Sequence, residues 1–243
     1  MNKSLPERYS RQILLPEIGE SGQRKLSNSS VAVIGAGGLG SPVLLYLAAA
    51  GVGNIHIIDC DVVSESNLNR QILYNNSDIG KSKAVIAADI ITRFNPLISV
   101  TSRNILITDT NAGELLAGYD SLVLCLDTIE ARRTINRAAV KNNISYVEGA
   151  VSSFHGSIMT IIPGVTPCYE CVFAHASQPQ SAIPVVGAAA GIIGSMIAMA
   201  ALRLMLGLSD PSRGSLVYVD CNSWENSVIS VCRDINCPVC SNI

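Results

Sequence analysis

Short uninterrupted apolar runs alternate along this chain with longer segments whose apolar residues return every three or four positions. Residues 30–34 (SVAVI) read as a buried strand, 39–50 as a helix and 54–59 (NIHIID) as a second strand, which together make a β-turn-α-β unit. The alternation continues: 81–94 reads as a helix stopped near Asn95 and Pro96, 98–104 and 122–126 as strands, and 129–141 as a helix. Apolar strands alternating with helices predict a mostly parallel sheet covered on both faces, the doubly wound arrangement of Rossmann-like α/β folds.

After 144–147 the pattern changes. Segments 156–163 (GSIMTIIP), 215–220 and 224–231 read as strands joined by turns, continuing the sheet in antiparallel fashion. With no repeat, low-complexity tract or linker, one unit is expected, 1–150 forming a nucleotide-binding half and 151–243 an antiparallel half. Residues 184–202 carry no charge and approach the ~20 residues a membrane helix needs. They are rich in Gly and Ala rather than Leu and Phe, and no second such stretch accompanies them. A buried helix is therefore expected, with Gly187, Ala188, Ala189, Ala190, Gly191, Gly194 and Ser195 admitting a close backbone and Arg203 marking its emergence toward water.

A composition 48% hydrophobic and 15% charged is ample for a substantial core, and so few charges favour a surface partly covered by another subunit. The net charge of -2 offers no basic stripe, so nucleic acid is not an expected partner. The first twenty residues carry charges throughout and no apolar signal region, so a cytoplasmic setting and no membrane association are expected. In that reducing setting the eight cysteines are not four disulfides.

Gly35-Ala36-Gly37-Gly38-Leu39-Gly40 sits between the first predicted strand and its helix, and Asp59 closes the next strand. Glycines at such a turn let the backbone pass close to phosphate while the helix N-terminus supplies unpaired N–H donors, and the acidic residue accepts from ribose hydroxyls. These features alone fit a nicotinamide-dependent oxidoreductase. Beyond them stand Asn67, Arg70, Gln71 and Lys83, cations and amides better used by a triphosphate than by a neutral nicotinamide. Asp61 is counted with these nucleotide contacts. Asp127, at the end of the LVLCL strand, lies where open α/β sheets bind ligands and can hold Mg²⁺ on the phosphates.

Cys168 and Cys171 (CYEC) and Cys237 and Cys240 (CPVC) form two CxxC turns, able to converge on one tetrahedral Zn²⁺ with no open position for substrate. Such a site is structural and staples the C-terminal segment. Cys60, Cys125, Cys221 and Cys232 are read as structural, as are His56, His155 and His175.

The runs RYSRQILLPEIGESGQRKL and VAVIGAGGLGSPVLLYLAAAGVGNIHIIDCDVVSESNLNRQILY, with the two CxxC pairs, resemble the HesA/MoeB/ThiF family, relatives of the ubiquitin-activating enzymes, over essentially the whole chain. IIPGVTPCYECVF and the terminal CPVC resemble the HesA branch most. The resemblance implies an adenylyltransferase that uses ATP and Mg²⁺ to activate the C-terminal glycine carboxylate of a ubiquitin-like sulfur-carrier protein ending in Gly-Gly. It implies ribose binding by Asp59, phosphate binding by Asn67, Arg70 and Lys83, metal binding by Asp127, and a homodimer in which Arg11 reaches the partner's ATP. Thr128 departs from the Asn common after that aspartate. Two other readings stand beside it: adenylation of a peptide or other small carboxylate, and a scaffold without turnover. Some relatives carry a cysteine in the loop after the first CxxC that links to the activated carboxyl. Here residues 173–186 (FAHASQPQSAIPVV) contain none, so the reaction is expected to stop at the acyl-adenylate.

Overall fold

The computed structural model of the chain describes residues 6–178, 181 and 183–241. Within the loop 173–186, Pro179, Gln180 and Ala182 therefore lie outside the described residues. In chain order come α1 (Ser10–Ile13), α2 (Gly19–Asn28), β1 (Ser30–Ile34), α3 (Gly40–Ala50), β2 (Asn54–Ile58), α4 (Lys83–Phe94), β3 (Ser99–Arg103), α5 (Ala112–Leu115) and β4 (Ser121–Leu124). They are followed by α6 (Ile129–Lys141), β5 (Ser145–Ser152), β6 (His155–Ile161), α7 (Tyr169–Phe173), α8 (Gly187–Leu206), β7 (Ser215–Asp220) and β8 (Glu225–Ser230).

The strands form one sheet in the order β3-β2-β1-β4-β5-β6-β7-β8. Pairing is parallel from β3 through β5 and antiparallel from β5 through β8. Alternate residues of β1 serve opposite cores: Val31 and Val33 pack with Val43, Leu47 and Ile91 beneath α3 and α4, while Ala32 and Ile34 pack with Leu115, Ile135 and Ala139 beneath α5 and α6. Two-sided burial is why these strands read as continuous apolar runs rather than as alternating ones. The chain leaves β1 toward one sheet edge and β4 toward the other, so a crevice opens beyond their carboxyl ends.

Helix α8 joins the first core through Ile193, Ile197, Ala198 and Ala201. Its small residues let backbone approach: a Cβ on Gly187 would lie 2.2 Å from the Asn69 carbonyl oxygen, and one on Gly194 2.7 Å from that of Leu39. The close partner is therefore the chain's own glycine loop and the segment that follows it. The helix begins and ends later than its uncharged run, and Arg203 lies inside its last turn rather than beyond it. Gly207, with φ +79°, stops it, because an L side chain disfavours the left-handed conformation of the cap.

Several boundaries shift. Strand β4 stops at Leu124, which leaves Cys125, read as part of the strand, just past its end. Helix α4 starts at Lys83 rather than 81 because Ser82 is extended, while α6 matches its expected span residue for residue. Helix α2 has no counterpart in the apolar pattern, since only Gln23 and Leu26 of its ten residues are buried.

Candidate active site

Gly35 leaves β1 with φ +91°, and a Cβ there would lie 2.4 Å from the Cys125 carbonyl oxygen. A glycine is needed on both counts. The loop then turns so that Gly40 is the first residue of α3, whose N-terminus carries no side-chain cap. Within that first turn the Ser41 and Val43 N–H groups donate to the Gly37 and Leu39 carbonyls at 2.9 and 3.3 Å and Pro42 has no N–H, so an anion at this end is served by the glycine loop ahead of the helix and by the positive end of the helix dipole. Tyr74, a buried residue outside the sequence-derived site, donates its hydroxyl to the Ala36 carbonyl at 2.8 Å and pins the loop from below.

Asp59, just past β2, accepts from the Ala36 N–H at 2.7 Å with one carboxylate oxygen and from the Asp61 N–H at 2.8 Å with the other. It therefore ties the glycine loop to the end of β2 while each oxygen keeps a lone pair for another donor. Burial raises the Asp59 carboxyl above its ordinary range, and the two N–H donors and Lys83 oppose that rise. Lys83 opens α4 with its Nζ 2.9 Å from the Asp61 carboxylate.

The segment 67–71 lies against the same loop. Asn67 uses Oδ1 to accept from the Ser64 N–H at 3.2 Å, half of a capping box. Arg70 donates to the Ser66 carbonyl at 2.8 Å and to Asn69 Oδ1 at 3.0 Å, and its stem crosses Gly38, within 3.4 Å of where a Cβ there would stand. Gln71 reaches toward Gly37 and is buried, with Oε1 unpartnered.

Asp127 is exposed beyond β4, and no side-chain partner for its carboxylate appears among the described residues. Thr128 caps α6 by accepting from the Ala131 N–H, which gives the departure from Asn a local purpose. Gln178 accepts from the Ile129 N–H at 2.9 Å, tying the loop after α7 to this turn. Arg11 is not with the others. Its neighbours Tyr9 and Gln12 anchor α1 at the far end of α3: Gln12 donates to the Ala50 carbonyl at 3.1 Å, and Asn95 donates to the Tyr9 hydroxyl at 3.0 Å. An eleven-residue helix puts about 16 Å between that end and the glycine loop, and Arg11 itself is exposed.

The four CxxC cysteines converge on the other side of the sheet. Their sulfurs lie within 4.8 Å of one another, with Cys168 to Cys237 at 3.5 Å and Cys171 to Cys240 at 3.4 Å. Four thiolates at about 2.3 Å from a tetrahedral Zn²⁺ stand about 3.8 Å apart, so the donor set and its size fit that ion. Cys168, Cys237 and Cys240 are buried. Asn136 of α6 approaches Cys168 Sγ at 3.7 Å while holding the Tyr146 hydroxyl at 2.8 Å.

Residues 9–239 match the ThiF family. The chain belongs to that family. It is 38% identical over 247 residues to the sulfur carrier protein adenylyltransferase of Thermus thermophilus, covering 97% of this chain and 91% of that protein. It is 34% identical over 237 residues to the heterocyst protein HesA of Trichormus variabilis, covering 97% and 89%. Among solved structures, E. coli MccB crystallised with ATP superposes with a TM-score of 0.87 at 25% identity, over 97% of this chain and 75% of that one. The sheet described above is thus the sheet of a ThiF-family enzyme.

Two cysteines of this ThiF-family chain lie close to the crevice, and neither is set up as a nucleophile. Burial and the neighbouring Asp61 and Asp59 push the Cys60 thiol above its ordinary range. Burial pushes Cys125 up to about 12. Thiolates are the reactive form, and the surroundings of both side chains disfavour it. Tyr74 and Gln178 escaped sequence reading because a lone Tyr and a lone Gln carry no motif. Their importance comes from contacts 38 and 49 residues away.

Proposed function

We propose that the protein is an ATP-dependent adenylyltransferase that activates the C-terminal glycine carboxylate of a ubiquitin-like sulfur-carrier protein and releases pyrophosphate. The observation that carries this reading is the meeting of Asp59 and Arg70 on one glycine loop, with Lys83 held by Asp61 beside Asp59, in a chain similar along nearly its whole length to a sulfur carrier protein adenylyltransferase. The superposition on MccB with ATP favours a triphosphate over a nicotinamide dinucleotide.

The chemistry asks little of acids and bases. A C-terminal carboxylate, with a pKa of about 3.5, is ionised at neutral pH and attacks the α-phosphate without a general base. Three phosphates must then be neutralised and the leaving pyrophosphate stabilised. Asp59 accepts from the ribose hydroxyls, and the glycine loop at the start of α3 donates backbone N–H groups to phosphate. Asn67, whose Oδ1 is engaged by the Ser64 N–H, offers its amide N–H₂ to the phosphates together with Arg70, Gln71 and Lys83. Asp127, whose carboxylate has no partner among the described residues, would hold Mg²⁺, which would supply further positive charge to the phosphates. Zn²⁺ at the four cysteines takes no part in the reaction and fastens residues 237–240 to α7.

The separation of Arg11 from its own glycine loop supports a homodimer in which each site receives Arg11 of the other copy. The carrier fits because a slim Gly-Gly tail can thread to the α-phosphate where a folded body cannot. Exchange of labelled pyrophosphate into ATP that depends on a Gly-Gly-ended carrier tests the reading. Exchange without any carrier, or turnover of a nicotinamide, contradicts it.

A further inference from the structure

On the side of α6 facing the sheet, Arg132 is almost entirely buried. Its guanidinium pairs with Glu148 of β5, donates to the Leu126 carbonyl, and donates to the Gly149 carbonyl at 2.8 Å. The side chain of Arg132 is 7% exposed and that of Glu148 1%. Burial pushes the Glu148 carboxyl above its ordinary range, and Arg132 pulls it back. Taking two charges out of water costs several kcal/mol per ion before their attraction repays it, so such a pair is weak evidence of stabilisation. Its geometry points to a different use.

Leu126 is the residue immediately before Asp127, and Gly149 lies on the strand next to β4 in the sheet. A planar fork spanning Leu126 O, Gly149 O and Glu148 fixes the peptide that carries Asp127 against β5. Lysine, a single point donor, cannot span three acceptors in one plane. Among the described residues the Asp127 carboxylate has no partner of its own, so its direction is set by its backbone, and that backbone is held from below by Arg132.

We propose that Arg132, oriented by Glu148, is a positioning residue that aims the Asp127 carboxylate at its Mg²⁺. The inference rests on the proposed role of Asp127 as a magnesium ligand. Groups that orient metal ligands from behind cost ten- to a hundredfold in metal affinity when removed. A merely structural arginine would weaken the fold without changing the metal dependence of nucleotide binding.

The experiment is calorimetric titration of Mg²⁺ into the full chain loaded with α,β-methylene ATP, compared with binding of that analogue without Mg²⁺. Arg132→Lys is expected to raise the half-saturating Mg²⁺ concentration about tenfold while leaving metal-free analogue binding essentially unchanged. Combining it with Asp127→Asn is expected to weaken Mg²⁺ no further than Asp127→Asn alone. An unchanged Mg²⁺ dependence in Arg132→Lys, with Asp127→Asn clearly impaired, overturns the positioning role and leaves Asp127 as ligand. Additive losses in the double variant overturn it likewise. An Asp127→Asn protein that binds Mg²⁺ normally removes the magnesium reading and the inference together. Should Arg132→Lys fail to fold, Glu148→Gln keeps the side-chain shape and one acceptor. It is expected to shift the Mg²⁺ dependence in the same direction by less, and no shift would overturn the proposal.

Discussion

The Lys83 ammonium sits 2.9 Å from the Asp61 carboxylate, the lysine side chain 7% exposed and the aspartate 63%. The cation is thus carried on the first turn of α4, out of bulk water, and held at the crevice mouth by a carboxylate that water still reaches. Desolvation strengthens whatever Lys83 does to a phosphate, while the exposed aspartate contributes little stability, under about 1 kcal/mol. Lys83→Ala should lower pyrophosphate exchange by about two to three orders of magnitude with an unchanged far-ultraviolet circular dichroism spectrum. An exchange rate equal to that of the native protein would remove Lys83 from the site.

The four-cysteine centre predicts about one Zn²⁺ per chain, read by metal analysis of the purified protein. Cys240→Ser should lose metal and stability together, because thiolate ligation is coupled to folding. A loss of about 3 kcal/mol corresponds to a fall in Tm of roughly 6–12 °C for a chain of this size. Native thermal stability without bound metal would show the cluster to be four packed thiols.

The distance between Arg11 and its own glycine loop predicts a site completed in trans. Mixing Arg11→Ala with Lys83→Ala subunits in equal amounts should restore about a quarter of the native exchange, since random pairing leaves half the dimers mixed with one intact site in each. Two inactive proteins that stay inactive on mixing, or a monomer by light scattering, would contradict it.

What the sequence made legible follows from how local each signal is. The glycine loop, Asp59 and the CxxC turns each state their chemistry within a few residues, and the periodicity of 129–141 marks α6 to the residue. Arg132 was invisible for the opposite reason. It sits in a charged run, Glu130-Ala131-Arg132-Arg133, that reads as a solvated face. Only the sheet brings Glu148 and the Leu126 carbonyl beneath it. Helix α2 was missed because it buries only Gln23 and Leu26, too little for a periodic apolar signal. The 184–202 segment was read rightly as a helix, but it runs on to Gly207, whose φ of +79° ends it, rather than stopping with its uncharged run.

The raised thiols of Cys60 and Cys125 predict that no covalent enzyme–carrier species forms. Enzyme, ATP and carrier run on a gel without reductant should show only the separate proteins, in the native chain and in Cys60→Ser and Cys125→Ser alike. A reducible adduct lost in either variant would make that cysteine a nucleophile and place an additional step after adenylation.

The central claim is that a carrier's terminal carboxylate attacks the α-phosphate of ATP. Labelled pyrophosphate exchange into ATP reports that step directly, because the label enters ATP only when the acyl-adenylate forms and reverses. The account predicts exchange with a carrier ending in a free Gly-Gly carboxylate, and none when the same tail is amidated or lacks its last glycine. Exchange that survives amidation, or that proceeds with enzyme and ATP alone, would contradict it.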